Sequence, residues 1–103
     1  MEFTIKYLPL AKKDIGEIVE YITETLEAPK VASNFINEIE KKIVNLKKNP
    51  YSHHLYRSSE PIDTEYRIIN VKNYLVFYVV LNNVIEIHRV IYNKRNLSKI
   101  IKS

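Results

Sequence analysis

A chain of 103 residues with a net charge of +4, no cysteine and a single glycine is long enough for one compact core and excludes disulfides and cysteine-based zinc sites. Hydrophobic residues make up 46% and charged residues 27%, which excludes disordered and fibrous classes. Residues 1–103 are therefore expected to form one domain.

The opening Met1-Glu2-Phe3-Thr4-Ile5-Lys6 carries charge where a signal peptide is apolar, and no later apolar run is long enough to span a bilayer. A cytoplasmic protein without membrane contact is expected. From Glu65 to Ser103, seven Lys and Arg face only Glu65 and Glu86, a local charge of +5. A basic C-terminal half points to an anionic partner: a nucleic acid, a ribosome or an acidic protein.

Phe3, Ile5 and Tyr7 alternate with Glu2, Thr4 and Lys6, the period of a half-buried strand. Pro9 suits the first turn of a helix, and Ile15, Ile18, Val19, Ile22 and Leu26 follow at helical spacing. Ala28-Pro29 interrupts the pattern. A second helical stripe then runs through Ala32, Phe35, Ile36, Ile39, Ile43 and Leu46, so an antiparallel helical hairpin is expected. Asn49-Pro50 ends it, and residues 49–63 read as a loop.

Tyr66 to Val71 has strand character, Lys72-Asn73 marks a turn, and Tyr74 to Leu81 is a continuous apolar run expected of a central strand covered on both faces. Asn82-Asn83 suits a hairpin turn, since Asn tolerates positive φ, and Val84 to Tyr92 supplies a last strand. Residues 93–103 form a basic tail in which Leu97, Ile100 and Ile101 make an apolar stripe on a short helix. The expected class is α+β: an N-terminal strand, a helical hairpin and a three-stranded antiparallel meander, with the helices on one face of the sheet.

Four residues stand out for chemistry. Arg67, Arg89 and Arg95 carry guanidinium groups, which bind phosphate bidentately and stabilise charge developing on a phosphoryl group. On strand parity Arg89 shares a face with Ile85, Ile87 and Ile91, and Arg67 shares one with Ile69 and Val71. The competing reading places each arginine at a sheet edge or against a carboxylate such as Asp63 or Glu65. Tyr92 serves as a general acid or base only if neighbouring cations lower its pKa far below about 10; otherwise it is a packing aromatic.

His53, His54 and His88, with no cysteine or acidic cluster, do not make a metal-ligand pattern, and surface or pairing roles are expected of them. With its one glycine at Gly16, the chain lacks a glycine-rich phosphate loop. No cofactor or metal is expected.

Several segments in this order and spacing resemble the RelE/ParE superfamily of type II toxin–antitoxin systems across essentially the whole chain. They are Tyr7-Leu8-Pro9-Leu10-Ala11-Lys12-Lys13-Asp14-Ile15, Tyr66-Arg67-Ile68-Ile69, Asn73-Tyr74-Leu75-Val76-Phe77-Tyr78 and Ile87-His88-Arg89-Val90-Ile91-Tyr92-Asn93-Lys94-Arg95. The resemblance implies a growth-inhibiting toxin neutralised by a cognate antitoxin, with a toxin–antitoxin heterotetramer as one assembly. Its known targets are DNA gyrase for ParE-like members and, for RelE-like members, mRNA on the ribosome, cut by an endoribonuclease activity.

The RelE pattern has an arginine where Leu75 stands here, and Asn93 occupies its C-terminal arginine position, with Arg95 two residues beyond. Arg67 lies where RelE has a lysine. The Leu-Pro-x-Ala-x-x-Asp-Ile opening and the Arg-Val-Ile-Tyr-x-x-Arg ending are more similar to ParE, so a ParE-like gyrase poison is expected ahead of an mRNA interferase. The reading outside this class is a non-toxic RNA- or protein-binding adaptor.

Overall fold

The computed structural model describes residues 2–57, 64–95 and 97–101. Strand β1 (Thr4–Tyr7) leads into helix α1 (Pro9–Glu20), a π-helical turn (Tyr21–Thr25) and helix α2 (Pro29–Asn45). Strands β2 (Arg67–Val71), β3 (Tyr74–Leu81) and β4 (Val84–Tyr92) follow, and a short helix α3 (Leu97–Ile100) comes last. Both long helices begin with proline, which is preset for helical φ and lacks the N–H that the first turn cannot pair. Between them the chain reverses at Glu27, whose φ is 52°.

The class is the α+β arrangement expected, with a four-stranded sheet in the order β1-β4-β3-β2. β2, β3 and β4 form the antiparallel meander. The first strand adds something the sequence pattern left open: it lies beside β4 and parallel to it, Thr4 opposite Val84 and Tyr7 opposite Ile87. The two hairpin turns place Lys72 and Asn82 at φ of 56° and 55°. Asparagine was the residue expected to do so at the second turn; at the first it is lysine that adopts the left-handed conformation.

Helices α1 and α2 cover one face. Phe35, Ile39 and Ile43 of α2 pack on Ile69, Val71, Val76, Tyr78, Ile85, Ile87 and Val90 of the sheet. Leu75, Phe77, Val79 and Ile91 point to the other face, where Tyr66, Ile101 and the partly buried Leu97, Ile100 and Tyr56 cover them. The apolar stripe expected in the tail is thus used as a second, smaller cover.

Strand parity fails within β4. Phe77 pairs with Arg89 and Tyr78 with Ile87, so His88 is an extra residue, a β-bulge. Ile85 and Ile87 face the helices, whereas Ile91 faces the second cluster. The expected common face for Arg89, Ile85, Ile87 and Ile91 is therefore corrected: one inserted residue reverses the alternation beyond it.

Candidate functional site

The four candidate residues do not form one constellation. Arg67 is directly opposite Tyr78, and both hold the segment that follows α2. Its Nη1 donates to the carbonyl oxygens of Tyr51 at 3.2 Å and His53 at 2.8 Å, and its guanidinium lies 5.2 Å from the Tyr51 ring centre. The Tyr78 hydroxyl donates to the Pro50 carbonyl at 2.7 Å. Burial pushes the Tyr78 phenol up to about 12, against the opposing pull of Arg67. A guanidinium held by backbone carbonyls anchors a loop.

Arg89 is engaged just as firmly. Its Nε and Nη2 donate to the two carboxylate oxygens of Asp14 at 2.8 and 3.0 Å, and the Val90 N–H donates to the same carboxylate at 2.9 Å. The bond to Asp14 is the foremost cause holding the Arg89 guanidinium above its ordinary pKa. Asp14, on α1, is the one buried charged side chain among the described residues, 8% exposed, and it joins α1 to β4 past the end of β1. Asp63 lies outside the described residues, and Glu65 is exposed. The carboxylate that pairs with Arg89 is thus one the chemical reading passed over. Its signal was available: Asp14 falls in the same helical stripe as Ala11 and Ile18, where a carboxylate needs a buried partner.

His88, the bulged residue, sits between Glu86 (Nε2 to Oε1, 3.1 Å) and the Tyr66 hydroxyl (3.4 Å from Nδ1). It has a pairing role. His53 and His54 line a cleft at the far end of α2, and no three His, Asp or Glu side chains gather as a metal site among the described residues.

Tyr92 and Arg95 do come together, in a groove of about 640 Å³ between α1, the π-helical turn and the ends of β3 and β4. Tyr74 lines it, with its ring 5.7 Å from that of Tyr92 and 5.1 Å from that of Phe35. Burial, then the phenols of Tyr21 and Tyr92, hold the Tyr74 pKa above its ordinary value. On the rim, Tyr21 and Leu26 are 51% and 53% exposed. The groove offers apolar and aromatic surface, with Glu17 and Arg95 among its lining residues. Such a surface favours recognition of a polypeptide segment. Tyr92 and Arg95 were singled out from the sequence, whereas Tyr21 was not and Leu26 was expected on the buried helical stripe, because a π-helical turn shifts side chains out of the 3.6-residue pattern from which faces are read.

Residues 5–97 match the profile of the family described as the ParE toxin of the type II toxin–antitoxin system parDE. The chain belongs to the ParE toxin family. It is the toxin component of a type II toxin–antitoxin system. Among solved structures, it is similar to a chromosomal ParDE toxin–antitoxin system from P. aeruginosa, with a TM-score of 0.71 at 17% identity over 88% of this chain and 96% of the other. The E. coli DinJ-YafQ toxin–antitoxin complex gives 0.57 at 15% identity, covering 89% and 93%. YafQ from E. coli strain BL21(DE3) gives 0.54 at 16%, covering 88% and 93%. These likenesses are of fold. No curated protein matches the sequence.

Proposed function

We propose that this toxin poisons DNA gyrase rather than cutting mRNA on the ribosome. The observation that carries this reading is how Arg67 and Arg89 are used. Catalysis of RNA cleavage needs cations aimed at a phosphate whose charge is developing, yet one arginine is bound to loop carbonyls and the other to Asp14. Leu75, where RelE-like members have an arginine, is buried in the second core cluster. Losing one such contact typically costs on the order of 100-fold in rate.

The cognate antitoxin binds through an amphipathic segment that fills the groove lined by Tyr21, Leu26, Tyr74 and Tyr92, with acidic side chains placed toward Arg95. Toxin and antitoxin assemble as a heterotetramer in the cytoplasm.

The test is a supercoiling assay with purified gyrase and relaxed plasmid. Inhibition, together with linear DNA released from trapped cleavage complexes by detergent and protease, is expected. Unaffected supercoiling together with new 5′ ends inside A-site codons, seen by primer extension during reconstituted translation, would establish the endonuclease instead. In that event Tyr92→Phe separates chemistry from packing: a chemical role loses cleavage and keeps ribosome binding.

A further inference from the structure

Residues 41–57 contain Lys41, Lys42, Lys47, Lys48 and Arg57, two histidines and not one carboxylate, whereas residues 1–40 carry eight acidic against four basic side chains. The fold gathers this basic stretch at one end of the molecule. Lys41 and Lys42 sit in the last turns of α2, and tight turns continue the helical path through Lys47 and Lys48, whose N–H groups donate to Val44 and Asn45. The chain then returns along the outer edge of β2. Leu55 bridges Arg67, the Ile68 N–H donates to His54, and the Tyr56 N–H donates to Tyr66.

Between these segments is a cleft of about 440 Å³ whose polar lining is Lys42, Asn45, His53, His54 and Asn70, with no carboxylate. Lys42 is fixed in place by its bond to the Asn70 carbonyl at 2.9 Å. Lys41, Lys47, Lys48, His54 and Arg57 are exposed, and among the described residues none of them is in an ion pair. Compensation of the α2 dipole accounts for cations in the last turn only; it does not account for Arg57 or for the absence of any acid over the whole stretch.

We propose that this end of the toxin binds the phosphate backbone of a nucleic acid. Dispersed cations around a small cleft, with amides and imidazoles among them, fit regularly spaced phosphates and the sugars between them. An acidic polypeptide is the less suitable occupant. A folding segment takes much of its affinity from apolar burial, and the apolar groove is lined by a different set of residues, with its Leu26 rim before the start of α2 and the basic stretch at the end of that helix. The surface is separate from the groove proposed for the antitoxin and does not depend on which enzyme the toxin inhibits.

The experiment is fluorescence anisotropy of the purified full-length toxin with labelled duplex DNA and, separately, single-stranded RNA, titrated across salt concentrations. Two triple variants of equal charge change are compared: Lys41→Gln/Lys47→Gln/Lys48→Gln at the basic end and Lys12→Gln/Lys13→Gln/Lys30→Gln at the other. The expected result is binding that weakens with salt and a basic-end variant at least tenfold weaker. Its log–log salt slope should be shallower by about two to three, near 0.9 per lost phosphate contact on duplex DNA and 0.7 on a single strand. The second variant should stay within about twofold of the unmodified protein.

Tighter binding to duplex or to single strand identifies which nucleic acid is engaged. Absence of binding, equal weakening by both variants, or equally tight, variant-sensitive binding of labelled polyglutamate would overturn the proposal. Circular dichroism of each variant verifies folding. Gyrase inhibition is measured on the same samples, so loss of nucleic-acid binding and failure of the gyrase reading are told apart.

Discussion

The two faces of the sheet are built on different scales. On one, two long amphipathic helices bring Phe35, Ile39 and Ile43 onto the strands, all nearly or fully buried. On the other, Phe77 is equally inaccessible, yet its cover is a four-residue helix, Ile101 and the aromatic rings of Tyr56 and Tyr66. A helix that short has no stability of its own and holds its place by packing alone. The helical face therefore carries the fold, and the second face is the one whose cover is open to change.

That contrast can be broken from either side. Phe35→Ala should be the most damaging, about 3–5 kcal/mol in urea unfolding, because it removes a wholly buried ring between α2 and Tyr74. Asp14→Ala should cost about 3 kcal/mol, since it strands the Arg89 guanidinium and leaves the Val90 N–H unpaired; Asp14→Asn should cost less. Ile101→Ala should cost about 2 kcal/mol and increase dye binding at the second face without disturbing near-ultraviolet signals from the helical side. If it equals Phe35→Ala in cost, the two faces are not unequal and the comparison fails.

Smaller effects sharpen the picture. Tyr78→Phe should lose about 1 kcal/mol with the bond to Pro50. It should also change the alkaline limb of stability. The phenol is raised in the folded state to about 12 from 10.0, so its contribution is complete below about 10 and is lost as pH rises toward 12, where the unfolded chain has already released the proton. In the Phe variant that part of the decline should vanish. Smallest of all, Tyr92→Phe should alter stability by less than about 0.5 kcal/mol, because the residue is 38% exposed and lines the groove, so any loss of toxicity would report on recognition.

The elements were legible because their signals are local. Pro9 and Pro29 mark helix starts, apolar spacing marks both helices, and the run from Tyr74 to Leu81 marks a strand buried on both sides. The tail stripe of Leu97, Ile100 and Ile101 was legible for the same reason. What the sequence hid is relational. Nothing in Thr4–Tyr7 names β4 as its neighbour. The extra residue in Ile87-His88-Arg89-Val90-Ile91 left a trace, the adjacent polar pair His88-Arg89 after the alternation of Ile85, Glu86 and Ile87, but strict parity was carried through it. The site was legible as a set of residue types but not as an arrangement: Arg67 and Arg89 read as cations awaiting an anion, and each already has its partner within the fold.

The pairing of Thr4 with Val84 also sets when the molecule can exist. During synthesis the first strand must wait, unpaired on its outer and inner edges, until β4 has followed it, since among the described residues β4 is its one neighbour. Contacts between such distant segments slow folding and leave apolar strands exposed meanwhile. The toxin thus takes its shape only once β4 has been made, which gives an antitoxin already present in the cell its first opportunity to engage.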